Sequence, residues 1–399
     1  MKKSIALILS LVLLLSVAAC AAPAAPAPAP APEAPAPAPE APAPAPAPEA
    51  GLTLENIKVG FVHINDPSDG GYTYNHDLGT QKMQKTLNLR DDQILNKFNT
   101  SEDASCQAAL EELVEAGCHI IFATSFGFEP YVLAAAEENP DVQFCHASGF
   151  RAAGSGLANF HNYFGAIYEA RYLSGIAAGL KTQTNKLGYV TAMPFAECIS
   201  GLTGFYLGAK SVNPDVTMEV MYTNNWNDPT KEQQVAQALI DMGCDVICQH
   251  ADSTATQTTA EANGKWGVGY NSDMRTAAPK AVLTSAVWDW GIYLTLAVQS
   301  LVDGVAIPVD FSGGLKEGVV NISPLNDALV APGTAEAIEA ARAKILSGEL
   351  HVFQGPLHGA GVDFDGNPME INLAEGERFY EPQSSPSWVY FVDGVHENK

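Results

Sequence analysis

Lys58–Ile64 reads KVGFVHI and Lys186–Thr191 reads KLGYVT. Both are rich in β-branched and aromatic residues, and the first ends at a Gly/Asp/Pro cluster, so each reads as a β-strand. Between them the chain alternates. Leu78–Leu87 reads as a helix, Gln93–Phe98 as a strand, and Ala104–Ala116 as a helix with Leu110, Leu113 and Val114 on one stripe. His119–Thr124 (HIIFAT) is a continuous apolar strand, Tyr131–Glu138 a helix and Val142–His146 a strand. This is βαβαβαβ, the signature of a doubly wound parallel sheet. After a helix over Tyr168–Leu180 the pattern restarts at KLGYVT. Helices follow over Ile199–Lys210 and Lys231–Met242, and strands over Thr217–Tyr222, Asp245–Gln249, Gly267–Tyr270 and Val282–Val287. Trp290–Val302 is a further helix, and the tail from Phe311 is punctuated by Gly and Pro among short strands. The sequence therefore predicts two similar α/β units in tandem.

Upstream of this body lies an address. Lys2 and Lys3 precede an apolar run from Ile5 to Val17, short for a membrane span of about 20 residues and suited to a signal-peptide core. The run ends Val17-Ala18-Ala19-Cys20, which resembles a bacterial lipobox with Cys20 as the lipidated residue. Ala21 to Ala50 is almost wholly Ala and Pro. Proline excludes a helix there, and polyproline II at about 3.1 Å per residue makes a spacer of up to about 90 Å. The expected organisation is a lipoprotein signal peptide over 1–20, a disordered tether over 21–52 and a soluble, extracytoplasmic body anchored to the cell membrane.

The 399 residues are 47% hydrophobic and 17% charged, with a formal charge of -24. So acidic a chain repels the phosphate backbone, which argues against nucleic acid as a partner. Six cysteines remain after Cys20, with no spacing that suggests a disulfide framework. Cys244, Cys248 and His250 could share a strand face, but buried small cysteines are the plainer account, and no metal is expected. Strand carboxyl ends carry ligand loops in such sheets. Here those ends, Asp66–Tyr74, Thr124–Phe128, His146–Phe150, Pro194–Glu197, Thr223–Asp228, His250–Ser253, Tyr270–Asp273 and Trp288–Trp290, are rich in polar and aromatic groups, and Tyr72, Tyr74, Trp226, Trp288 and Trp290 among them are aromatics that loops have little structural reason to keep. His76 and His250 are expected to be hydrogen-bonded loop residues, and Glu169 and Arg171 to form an interlobe salt bridge.

Several segments resemble a known family: SDGGYTYNHDLG (Ser68–Gly79), ATSFGF (Ala123–Phe128), NYFGAIYEARYLSGIAAG (Asn162–Gly179), NNWNDP (Asn224–Pro229), GCDVICQHADS (Gly243–Ser253), GYNSDM (Gly269–Met274) and SAVWDWG (Ser285–Gly291). In that order they are similar to the basic membrane protein family of substrate-binding lipoproteins, which includes the PnrA-like purine nucleoside receptors, over about Ile57 to His351. The resemblance implies the type I periplasmic-binding-protein fold, with two Rossmann-like lobes of parallel sheet and a three-crossover hinge near Asn162, Ala286 and Phe311. The lobes would span 53–162 plus 286–310 and 163–285 plus 311–385. It also implies a monomer that binds a purine base or nucleoside without a cofactor and hands it to an ABC permease and ATPase.

Residues carried over by the resemblance are Asp69, Gly71, Tyr72 or Tyr74, and Asn75 in the first ligand loop, and Ser125 and Phe126 in ATSFGF. Trp226 would be the second-lobe stacker and Ala251 and Asp252 a backbone loop. Asp273 would contact sugar, unless it merely caps a helix. Trp288 stands where many members have lysine, and His146-Ala147-Ser148 lacks the family's acid. Both departures favour a free base such as adenine over a nucleoside. Phosphate-loop, nucleophile-elbow, zinc-protease and dinucleotide motifs are absent from the sequence, so no enzyme is expected. A nucleosidase, or a sensing receptor without an importer, would be the alternatives.

Overall fold

The computed structural model describes residues 51–363 and 365–398. The signal peptide, Cys20 and nearly all of the tether lie outside the described residues. The first half runs β1 (Val59–Val62), α1 (Tyr72–Leu87), β2 (Ile94–Lys97), α2 (Ala104–Glu115), β3 (Ile120–Ala123), α3 (Glu129–Glu138), β4 (Gln143–Ala147), the one-turn α4 (Ala152–Ser155) and β5 (Phe160–Gly165). The second runs α5 (Ile167–Lys181), β6 (Lys186–Thr191), α6 (Ala196–Val212), β7 (Thr217–Tyr222), α7 (Pro229–Asp241), β8 (Val246–His250), α8 (Ala255–Ala262), β9 (Trp266–Asn271) and β10 (Val282–Trp288). The tail holds α9 (Gly291–Val302), β11 (Asp310–Gly313), β12 (Val320–Ile322), α10 (Thr334–Ser347), β13 (Leu357–Val362), β14 (Pro368–Leu373), β15 (Tyr390–Val392) and β16 (Val395–Asn398).

Two parallel sheets result. One has the order β11-β5-β4-β3-β1-β2, the other β12-β10-β9-β8-β6-β7-β16, with only β12 antiparallel. A small antiparallel sheet, β14-β13-β15, lies apart from them. Both faces of the first sheet are covered. Val59, Phe61, Ile120 and Phe122 pack toward Met83 of α1 and Leu294 and Val298 of α9. Val62, Ile121 and Ala123 turn toward Leu110 and Leu113 of α2 and Val132 of α3. This burial on both faces explains why the strands read as unbroken apolar runs.

The chain passes between sheets three times: after Gly165 at the end of β5, after Trp288 at the end of β10, and after Gly313 at the end of β11. The positions expected for these passages, Asn162, Ala286 and Phe311, lie inside those strands. Helices α5 and α6 lean on each other through paired glycines four apart, Gly175 and Gly179 on one and Gly204 and Gly208 on the other. A Cβ on Gly175 would overlap the Phe205 carbonyl oxygen, and one on Gly208 that of Tyr172.

Four elements depart from the sequence expectation, α8, which was not expected, among them. Helix α1 starts six residues early, because the Asp69 carboxylate accepts from the N–H groups of Gly71, Thr73 and Tyr74 at 2.9, 2.9 and 3.0 Å and caps the helix. β5 was hidden by polar residues in a buried strand. The His161 ring satisfies them in part, lying 2.9 Å from Gln143 Oε1 and 3.1 Å from the Pro308 carbonyl. α10, flanked by Gly333 and Gly348 in left-handed conformation, forms where only short strands were expected.

Candidate ligand pocket

The two lobes touch where the first and second ligand loops meet. A Cβ on Gly71 would overlap the Asp252 carbonyl oxygen, and Ser272 Oγ donates to the Gly70 carbonyl at 2.6 Å. Only glycine admits this approach. Phe126 from the first lobe packs on Phe195 from the second, ring centroids 5.3 Å apart. Between these contacts lies a small pocket lined from both lobes. Ile64, Tyr72, Thr124, Ser125, Phe126 and Ser148 line it from the first lobe, and Glu197, Trp226, His250, Asp252 and Tyr270 from the second.

Of the residues expected at the site, the structure brings Tyr72, Ser125, Phe126, Trp226 and Asp252 together here. The others stand elsewhere. Asp69 is the α1 cap, Gly71 the point of lobe approach, and Ala251 is fully buried with its carbonyl accepting from Gln249 Nε2 at 2.9 Å. Tyr74, Asn75, Asp273 and Trp288 line a separate, open groove. Asp273 caps the short helical turn Met274–Thr276 and pairs with Arg275, Oδ2 to Nη2 at 2.6 Å. Trp288 is only 5% exposed. It stacks on Trp290 at 4.3 Å and donates from Nε1 to Asn271 Oδ1 at 3.2 Å. Asn271 Nδ2 in turn donates to Asp252 Oδ1 at 3.1 Å, so Trp288 bears on the pocket through Asp252.

Three expectations are corrected. His76 lies inside helix α1, not in a loop, with its ring Nδ1 3.2 Å from the Tyr72 carbonyl. His250 is not hydrogen-bonded: it lies on β8 with both ring nitrogens buried and unpartnered, and Nε2 is 3.6 Å from Glu197 Oε1. Glu169 and Arg171 do not pair. Glu169 accepts from the Leu315 N–H at 2.8 Å across the third passage. Arg171, fully buried, donates from Nη1 to the Gln249 carbonyl at 2.7 Å and lies 3.8 Å over the Tyr270 ring.

The pocket lining holds the acids Glu197 and Asp252 and neither lysine nor arginine, with the Arg171 guanidinium behind it against the Tyr270 ring. Burial, then the neighbouring Glu102, push the Glu197 carboxyl up to about 8, against a smaller downward pull from Arg171. Glu197 sits in the first turn of α6, where the helix dipole favours the anion by about 0.3–1 kcal/mol. That is less than one pKa unit, about 1.36 kcal/mol, so burial prevails. Burial and the Asp69 charge hold Asp252 well above its ordinary range. Burial keeps His250 neutral, well below its usual value. The surroundings suit an uncharged ligand with a hydrogen-bonding edge.

Sequence reasoning did not single out Ile64, Thr124, Ser148, Glu197, His250 and Tyr270 as site residues, although all but Ile64 lie in the strand-end segments that it marks as ligand-bearing; within those segments it weighted the tyrosines and tryptophans of the loops.

Comparison with known proteins agrees with this architecture. The family model described as ABC transporter substrate-binding protein, PnrA-like, matches residues 57–354. The chain is 36% identical to a purine-binding protein of Brucella abortus (strain 2308) over 305 residues, 76% of this chain and 85% of that one. It is 33% identical over 327 residues, 82% of this chain and 80% of the other, to a protein of Haloferax volcanii named provisionally as an ABC transporter glucose-binding protein. The solved solute-binding protein of an ABC transporter system from Aeropyrum pernix K1 superposes with a TM-score of 0.63 at 18% identity, covering 74% of this chain and 92% of that one. That likeness is one of fold: two lobes of parallel sheet around a crevice. With the family model spanning both lobes and the pocket lying between them, the chain belongs to the PnrA-like family of ABC transporter substrate-binding proteins.

Proposed function

We propose that this chain captures a purine, a free base of the adenine type in preference to a nucleoside, and delivers it as a monomer to an ABC permease and ATPase. A lipid on Cys20 and the tether over 21–52 would hold it outside the cytoplasmic membrane. The observation that carries the reading is an interlobe pocket with aromatics from both lobes, Tyr72 and Phe126 from the first and Trp226 and Tyr270 from the second, beside the acids Glu197 and Asp252. Stacking on both sides of a flat ring contributes about 1–3 kcal/mol per base. A ligand touching both lobes binds the closed form preferentially and shifts the population toward it. The name of the Brucella relative points the same way.

Base is favoured over nucleoside by acid placement. Asp273, the candidate sugar contact, is engaged with Arg275 outside the pocket. The test is mass spectrometry of whatever leaves the denatured protein, followed by calorimetry with adenine, guanine, hypoxanthine, their nucleosides and glucose. Adenine should bind most tightly and quench indole fluorescence. Binding of glucose alone would reject the purine.

A further inference from the structure

We infer that Glu197 reads the edge of the bound ring, forming two side-by-side hydrogen bonds as a neutral acid to an adjacent amino donor and bare ring nitrogen, the N6–H and N1 of a 6-aminopurine. This rests on the purine reading above. Glu197 enters the pocket from the first turn of α6, and its carboxyl has no hydrogen-bond partner among the described residues. His250 Nε2 lies 3.6 Å from its Oε1, beyond hydrogen-bond reach. Asp252, by contrast, already accepts from Asn271.

The groups facing Glu197 all favour the protonated form or leave it alone, with one exception. Glu102 and Asp252 are acids, with Glu102 Oε1 fixed by Ser125 Oγ at 2.6 Å and the Gly127 N–H at 2.7 Å. His250 is neutral, and Tyr72 and Tyr270 are phenols whose burial raises them well above their usual range. Arg171, the exception, is already engaged with the Gln249 carbonyl and the Tyr270 face. A carboxyl kept protonated carries one O–H donor and one carbonyl acceptor on neighbouring oxygens. An ionised carboxylate could only accept, so it would leave a bare ring nitrogen unpaired and favour rings with two adjacent N–H donors.

Calorimetry of the wild-type protein at pH 7 with adenine, 1-deazaadenine and N6,N6-dimethyladenine tests this. The first analogue lacks the acceptor and the second the donor, and each should bind at least about ten-fold more weakly than adenine. Adenine itself should bind about ten-fold more weakly at pH 9 than at pH 7, as Glu197 ionises near 8 in the free protein. Glu197→Leu should lose at least about ten-fold at pH 7. Glu197→Gln, whose amide keeps a donor and an acceptor, should lose less and bind equally at pH 7 and pH 9. Analogues that match adenine, or a folded Glu197→Leu that matches wild type, would overturn the role of Glu197 while leaving the purine reading intact. If no purine binds the wild-type protein, the reading beneath it fails instead.

Discussion

Trp288 Nε1 donates to Asn271 Oδ1 at 3.2 Å, and through that amide it fixes the Asp252 carboxyl at the pocket wall. Asn271 adopts a left-handed backbone conformation, φ 66°, so its side chain is held at the end of β9 by geometry as well as by the indole. Trp288→Phe should keep most of the stack on Trp290 and lose only the N–H. The expected result is a loss of about 1 kcal/mol in ligand affinity, near five-fold in Kd, with the melting temperature little changed. Isothermal calorimetry beside thermal unfolding separates the two readouts. Unchanged affinity would mean that Asp252 needs no such support.

Trp226 is half-buried and lines the pocket from the second lobe, while its carbonyl accepts from the Asp252 N–H at 2.9 Å. That backbone bond survives substitution. Trp226→Ala should weaken binding by about 1–3 kcal/mol and leave stability nearly unaltered. A variant that melts far below wild type would make Trp226 a packing residue.

Gly208→Ala tests the helix pair. Alanine gains up to about 1 kcal/mol in helix propensity, but its methyl would overlap the Tyr172 carbonyl oxygen, a rigid backbone atom. Overpacking costs about 1–3 kcal/mol and more where backbone must move. The sum is a net destabilisation, read as a lower denaturant midpoint. A higher midpoint would show that α5 and α6 can part without penalty.

Stability without ligand should depend on pH in a defined direction. Burial holds Glu197 up to about 8 and Glu232 up to about 7, above the ordinary 4.5. Between those limits the folded chain retains protons that the unfolded chain has lost, so stability falls as pH rises. Burial holds His63 and His161 down to about 4, which has the opposite effect below about 6.5. The melting temperature should therefore be highest near pH 6 and fall from pH 6.5 to 8. Glu197→Gln should flatten that fall, and parallel curves for the two proteins would contradict the assignment.

The sheets were legible because their strands are buried on both faces. KLGYVT and TMEVMY coincide with β6 and β7 at both ends. β5 was not, since Phe160–Gly165 interleaves His161 and Asn162 with aromatics, and partners outside the strand satisfy them, Pro308 for the first and Ala152 and Glu129 for the second. α8 was missed because its threonines are indifferent helix formers. At the site, Tyr72 and Trp226 were visible as aromatics in loops. Trp288 looked the same in one dimension, and only the stack on Trp290 distinguishes its role. Glu197 and His250 carry no motif. Their importance arises from burial without partners, which no local stretch of sequence expresses.

Strand β16 pairs in parallel with β7, Val395 to Met218 through Asn398 to Met221, and so covers the outermost rung of the second sheet. Without those four residues β7 would present bare N–H and C=O groups, a template on which a neighbouring molecule could stack. Removal of β16 would therefore move the open edge of the sheet from a four-residue strand to the six-residue β7, a longer template for self-association.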